Sequence, residues 1–83
     1  MNNLKDYRKK IDFIDKNIVK LILFRFDLVK KIWHYKKLRK LKIADKKREM
    51  EVINNIKRYS KYHQKFIINI FKKIIENSKK IQK

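Results

Sequence analysis

The sequence predicts an all-α protein, and three observations carry this prediction. Apolar side chains recur at alternating intervals of three and four residues from position 4 to position 35, which is the period of a helical seam. Glycine and proline are absent from all 83 residues, so few positions favour a tight turn. No stretch alternates apolar and polar residues as a half-buried strand does. We therefore expect a single domain, residues 1–83, with one very long first helix and two shorter ones.

The first helix is predicted over residues 4–38. Its seam comprises Leu4, Tyr7, Ile11, Ile14, Ile18, Leu21, Arg25, Leu28, Ile32 and Tyr35. Such a helix would be about 50 Å long, whereas a globular domain of this size has a radius of gyration of only about 12 Å. Because so small a domain cannot cover so long a seam, we expect a second copy of the chain to cover it in an interlocked homodimeric helical bundle. Arg25 is the one charge on this seam, and a buried charge is costly unless it is paired.

Two shorter helices are predicted over residues 45–62 and 65–82. Asp45 suits the start of the second helix, since an acid there caps the free backbone N–H groups and complements the helix dipole. One face of the second helix carries Val52, Ile53, Ile56 and Tyr59. The apolar residues of the third helix are Phe66, Ile67, Ile70, Phe71, Ile74, Ile75 and Ile81. Without glycine or proline, the boundary between these two helices is weakly marked.

The net charge of +18 raises the possibility of a basic helical nucleic-acid-binding protein. Lys, Ile, Asn, Phe and Tyr make up 51 of the 83 residues, and all have A/T-rich codons, so drift in an A/T-rich genome would also produce this charge. The lysines are spread along the chain and form no single stripe, and we therefore expect no nucleic-acid partner. No apolar run approaches membrane-spanning length, so we expect a cytoplasmic protein with no membrane partner.

Metal and nucleophilic chemistry have little support in the sequence. There is no cysteine, and His34 and His63 lie in different elements without ligand spacing around them, so we expect no metal site. Ser60 and Ser78 lack an obvious His and Asp arrangement for a hydrolase triad.

Three sets of polar residues remain, each on one face of its predicted helix: Arg25 with Lys36, Asp45 with Arg48 and Glu49, and Ser78 with Gln82. The sets could converge on a small polar ligand inside a bundle. Each also has a simpler interpretation: the second set as a cap with a surface ion pair, and the third as a solvated helix edge. The charge on the apolar seam is the hardest of these features to explain without a ligand, although it could extend to solvent or pair with an acid.

Arg8 lies seventeen residues before Arg25, which is about 25 Å along a helix. The two guanidinium groups cannot both touch one small ligand from one straight helix. If both are functional, Arg8 must serve a site shared with a second chain, and a two-fold dimer would carry two equivalent sites.

Four blocks of the chain, in order, resemble the all-helical chorismate mutase family: LKDYRKKIDFID at residues 4–15, IVKLILFR at 18–25 with Lys36 beyond it, DKKRE at 45–49, and IIENSKKIQ at 74–82. The similarity covers nearly the whole chain. It implies an all-α homodimer with active sites shared between chains, chorismate as substrate, and a cofactor-free rearrangement to prephenate in phenylalanine and tyrosine biosynthesis. An isochorismate pyruvate lyase of the same fold is the alternative within this resemblance.

The resemblance also implies roles for residues of this chain. Arg8 from the partner chain and Arg25 would bind the carboxylates, and Lys36 and Gln82 would donate to the ether oxygen. Glu49 would accept from the substrate hydroxyl. Supporting polar residues would be Asp45, Arg48 and Ser78, and the apolar walls would be Ile32, Val52 and Ile75. Lys36, Gln82, Arg25 and Glu49 form the implied catalytic set. Lys79 departs from the family, because an apolar residue is common there, and we expect it to add a charge at the pocket rim.

Overall fold

The protein folds into three α-helices in a computed structural model that describes residues 3–42 and 45–82. The helices are α1 (Leu4–Leu38), α2 (Lys46–Tyr59) and α3 (Gln64–Ile81), and the described residues contain no strand. The all-α prediction is therefore confirmed. None of these helices carries an apolar stretch long enough to cross a membrane within the described residues.

Side-chain caps start the first two helices. Asn3 Oδ1 accepts from the Asp6 backbone N–H at 3.0 Å, and Asp45 Oδ1 accepts from the Arg48 N–H at 3.0 Å. These bonds satisfy backbone donors that have no partner within the helix. Asp45 therefore lies just outside α2 as its N-cap, and the helix itself begins at Lys46.

α1 ends in a C-terminal motif that usually contains glycine. Lys40 has φ 55°, and the Leu41 N–H donates to the Lys36 carbonyl at 2.8 Å, which is the long 6→1 bond of a Schellman motif. Glycine usually takes the left-handed position of this motif because it has no Cβ to clash. Here a lysine takes it instead.

The connection between α2 and α3 spans residues 60–63, so α2 ends three residues before the expected position. Ser60 leaves the helical region (φ −90°, ψ 99°), and its Oγ donates to the Ile56 carbonyl at 2.6 Å. His63 is left-handed (φ 53°, ψ 32°) and makes no side-chain cap. Gln64 Nε2 reaches back to the Lys57 carbonyl at 2.8 Å, which fixes the turn.

The packing is elongated, and its interior is small. α3 packs against both α2 and α1, whereas α1 and α2 do not contact each other through their backbones. The molecule measures 58 × 23 × 15 Å and has a radius of gyration of 16.2 Å, against about 12 Å for a globular chain of this length. Among the described residues, Val29 of α1 and Ile56 of α2 are the only apolar side chains classed as buried.

This packing leaves most of the predicted seam of α1 uncovered, and Arg25 is its one half-buried member. Its nine apolar members are each between 46% and 66% exposed. A second apolar stripe of α1 is better covered: Ile22, Phe26 and Trp33 are half-buried and lie on either side of Val29. One chain therefore covers part of α1 with its own helices and leaves the seam open. Tyr59, Phe66 and Ile70 are likewise exposed, so the apolar faces predicted for α2 and α3 are only partly covered.

Candidate active site

A cavity of about 290 Å³ lies among the three helices, near the lower end of the size range of small-molecule pockets. Ten of the eleven predicted site residues line it: Arg25, Ile32 and Lys36 of α1, Asp45, Arg48, Glu49 and Val52 at the start of α2, and Ile75 and Ser78 of α3 with Gln82 at its C-cap. The three sets of polar residues therefore converge on one cavity.

Arg25 is anchored by a hydrogen-bond chain that joins α1 to α3. Its Nη1 donates to Ser78 Oγ at 2.8 Å, and the same hydroxyl donates to the Ile74 carbonyl at 2.7 Å. Ser78 is only 5% exposed, so its hydroxyl is fixed by burial as well as by these two bonds. Ser78 therefore orients the guanidinium, and its interpretation as a solvated helix edge is wrong.

The electrostatic environment of Arg25 favours an anion. Its pKa is lowered from the usual value, first because partial burial desolvates the guanidinium and second because the positive charge of Arg48 is near. Among the ion pairs of the described residues, none involves Arg25. A carboxylate placed beside Arg25 would offset both unfavourable effects, since it would supply the missing opposite charge.

Gln82 brings a buried amide to the cavity. It is 8% exposed, and its Nε2 donates to the Ser78 carbonyl at 3.3 Å. Its Oε1 has no hydrogen-bond partner among the described residues. Nε2 carries two N–H groups, so the amide can donate one to a ligand and keep the other on the Ser78 carbonyl.

The start of α2 contributes both signs of charge. Asp45 and Arg48 are exposed, and Arg48 also pairs with Glu51 at 3.3 Å on the helix surface. The interpretation of Asp45 as a cap is thus correct, whereas the surface ion pair of Arg48 is with Glu51 and not with a member of this set. Glu49 differs, because its side chain is only 26% exposed and its Oε1 pairs with Lys79 Nζ of α3.

Three further residues line the cavity beyond the predicted set: Leu28, Val29 and Lys79. Leu28 belongs to the predicted seam, and Val29 lies on the second stripe of α1, whose spacing of four, three and four residues from Ile22 is visible in the sequence. Lys79 was expected to add a charge at the pocket rim but was not named among the site residues, and it does line the cavity. Its position one residue after Ser78 was the available signal.

Arg8 does not join this cavity. It is an exposed residue of the first two turns of α1, remote from Arg25 on the same helix. This placement agrees with the distance argument, because one chain does not bring both arginines to one ligand.

The cavity suits binding and polarisation of a small anion with an apolar body. Its cationic side chains are Arg25, Lys36, Arg48 and Lys79, against two carboxylates, Asp45 and Glu49, and aliphatic side chains form the remaining wall. Within residues 3–42 and 45–82 no three His, Cys, Asp or Glu side chains cluster as metal ligands would. An excess of fixed donors around an apolar wall favours recognition of carboxylates and stabilisation of developing negative charge.

Comparisons with known proteins agree with this geometry. The family model described as chorismate mutase type II matches residues 7–83. A protein of Methanocaldococcus jannaschii named chorismate mutase is 36% identical over 86 aligned residues, which cover all of this chain and 87% of that protein. A bifunctional chorismate mutase/prephenate dehydratase of Aquifex aeolicus is 33% identical over 89 aligned residues, which cover all of this chain and 25% of that protein.

Proposed function

Because the chain belongs to the chorismate mutase type II family, we propose that its cavity converts chorismate to prephenate by an intramolecular rearrangement without a cofactor. The protein is an isomerase of aromatic amino acid biosynthesis. Chorismate is a dianion with an enol-pyruvyl ether and a hydroxyl, and its rearrangement needs no covalent intermediate. The protein accelerates it by holding the reactive conformation and by stabilising negative charge on the ether oxygen.

One observation carries this proposal most directly. The cationic group of Arg25 is partly desolvated, fixed by Ser78 and without an acidic partner among the described residues, and it faces the same cavity as the buried amide of Gln82. A ligand carboxylate would supply the opposite charge that this partly desolvated guanidinium lacks. The neutral amide then serves as a donor to the ether oxygen.

The remaining roles follow from the chemistry of each group. Lys36 donates to the ether oxygen together with Gln82, and Glu49 accepts from the substrate hydroxyl. Asp45 and Arg48 support the substrate at the start of α2. Ile32, Val52 and Ile75 contact the ring, where apolar side chains exclude water and strengthen the polar interactions.

The active form is a homodimer in which Arg8 completes the partner's site. The support is the open seam of α1, whose apolar members are about half exposed along a helix that spans most of the 58 Å molecule. Monomeric proteins rarely expose so long a continuous apolar stripe. A second α1 packed along this seam would cover it and could bring Arg8 of one chain to the cavity of the other.

Subunit mixing tests the shared site. Arg8→Ala and Arg25→Ala are each expected to be nearly inactive. In a mixed dimer, the chain with Arg8→Ala keeps its own Arg25 and receives an intact Arg8 from its partner, so one of the two sites works. After unfolding and refolding an equal mixture, activity should return to about a quarter of the wild-type value, since half of the dimers are mixed. If the mixture stays as inactive as its components, Arg8 does not act across the dimer.

The overall activity is tested by incubating the purified protein with chorismate and identifying the product. Prephenate formed in the presence of EDTA supports a metal-independent mutase, and absence of chorismate consumption would refute the function. Incubation with isochorismate tests the lyase alternative, because a lyase would release pyruvate.

We also propose that the +18 charge is a solvated surface without a nucleic-acid partner and that the enzyme acts in the cytoplasm. Binding to duplex DNA or RNA that persists at moderate salt and weakens steeply as the salt concentration rises would contradict the former.

A further inference from the structure

An ion pair between two helices lies at the edge of the candidate active site. Lys79 Nζ of α3 contacts Glu49 Oε1 of α2, and the two side chains are 43% and 26% exposed. The other ion pairs of the described residues join positions three or four apart on one helix and are more exposed. The Lys79–Glu49 pair therefore differs from them, because it constrains where two separate helices present their charges.

This pair also separates two cavities. A second, more open cavity of about 560 Å³ lies between α2 and α3, and Glu49, Ile75 and Lys79 line both it and the candidate active site. The Glu49 carboxylate could thus turn toward either side. The contact with Lys79 limits this freedom, since rotation of the carboxylate away from Lys79 would break a partly desolvated ion pair.

The charge balance of the site depends on Lys79. The side chains that one chain contributes to the active-site cavity carry an excess of two positive charges, and without Lys79 the excess is one. A dianionic substrate that approaches an unpaired Glu49 carboxylate would meet like-charge repulsion. Pairing with Lys79 reduces this repulsion while Oε2 of Glu49 keeps its capacity to accept a hydrogen bond.

We propose that Lys79 is a positioning residue that holds Glu49 toward the substrate hydroxyl and compensates its charge. This inference rests on the proposed mutase function and deepens it. The hydroxyl is not part of the bonds that break and form, so Glu49 binds it about equally in the ground state and the transition state. Loss of such an interaction raises KM and leaves kcat nearly unchanged.

Three variants separate this role from a general charge effect. Lys79→Met removes the ammonium but keeps an unbranched side chain, Lys79→Arg retains a cation, and Lys80→Met removes a neighbouring charge that pairs with Glu76 on the surface at 3.6 Å. We expect Lys79→Met to raise KM about fivefold, in the range of a partly exposed ion pair, with kcat within about twofold of wild type. Lys79→Arg and Lys80→Met should keep KM within about twofold, because each preserves the positive charge beside Glu49.

A double-mutant cycle shows whether Lys79 acts through Glu49. In a Glu49→Gln background, Lys79→Met should leave KM nearly unchanged, because no carboxylate remains to be positioned. An equal effect of Lys79→Met in both backgrounds, or no effect on KM in the wild-type background, would overturn the proposal. Wild-type turnover measured in the same assay keeps the two hypotheses apart, since an inactive wild type would refute the mutase function itself. Circular dichroism of each variant identifies any loss of fold. A lower kcat with unchanged KM in Lys79→Met would indicate a structural role for Lys79 and contradict its proposed role in positioning Glu49.

Discussion

Replacement of Arg25 by methionine should abolish most of the activity without destabilising the fold. The substitution keeps a long unbranched side chain and removes the guanidinium that donates to Ser78 at 2.8 Å. It thereby removes the only seam charge of α1, which the proposed mechanism assigns to a substrate carboxylate. The same guanidinium is partly desolvated and repelled by Arg48, so its charged form is less favourable in the unliganded protein than in water.

The expected loss of activity follows from the hydrogen bonds involved. A charged hydrogen bond contributes about 1.5–3 kcal/mol, and a fork that makes two such bonds to a carboxylate contributes about 3 kcal/mol or more. This corresponds to a decrease of at least about 100-fold in kcat/KM. For stability, loss of the bond to Ser78 costs about 1 kcal/mol, and relief of the desolvated charge acts in the opposite direction. We therefore expect the unfolding midpoint to be unchanged or higher.

The assay combines chorismate consumption with thermal unfolding at one fixed protomer concentration, because the stability of a dimer depends on concentration. Arg58→Met is the matched control, since Arg58 lies in the last turn of α2, contacts Asn55 and does not line the cavity. It should keep kcat/KM within about twofold, as expected for a surface change. If Arg25→Met retains more than a tenth of wild-type activity, the assignment of Arg25 to a carboxylate is wrong. If its midpoint falls by more than about 8 °C, the guanidinium supports the fold instead.

Three further predictions test the donor, the helix end and the seam. Gln82→Glu should be active only where the carboxyl is protonated, so kcat/KM should rise as pH falls from 8 to 5; a flat pH profile would contradict donation by this residue. Lys40→Gly should raise the free energy of unfolding by about 0.5–1 kcal/mol, because glycine relieves the left-handed strain at φ 55°. The control Lys30→Gly, inside α1, should lower it by about 1 kcal/mol. If both variants change the thermal unfolding midpoint in the same direction, this reasoning is wrong. Ile14→Glu on the seam should decrease both the molar mass measured by light scattering and the activity. The control Lys16→Gln, which changes the charge by the same amount off the seam, should change neither. A monomeric Ile14→Glu variant with full activity would exclude the shared site.

The sequence was sufficient for the fold class because the helical period is unbroken over a long stretch and no competing strand signal exists. The sequence predicted the ends of the helices less accurately. α2 was expected to continue to residue 62, but it ends at Tyr59, because the Ser60 hydroxyl bonds back to the Ile56 carbonyl and the next helix starts from a left-handed His63. Without glycine or proline, neither event has a clear local signature.

The cavity was predictable in part, because helical spacing reveals which polar residues share a face, but not which faces meet. The second stripe of α1 around Val29 was overlooked beside the more regular seam, although α3 packs near this stripe. The pairing of Lys79 with Glu49 was also beyond reach, since it depends on how α2 and α3 are placed relative to each other. Contacts between elements are set by packing, and periodicity within one element does not encode them.

In the proposed dimer, two residues of α1 would couple dimerisation to catalysis. Leu28 and Ile32 belong to the open seam and also line the cavity, and they are 57% and 49% exposed in one chain. A helix that covers the seam would therefore also close the open wall of the cavity. It would desolvate Arg25 further and so strengthen its attraction for a substrate carboxylate. In the proposed dimer, the long first helix thus has a chemical role in addition to its structural one: the same contacts that stabilise the assembly exclude water from the reaction.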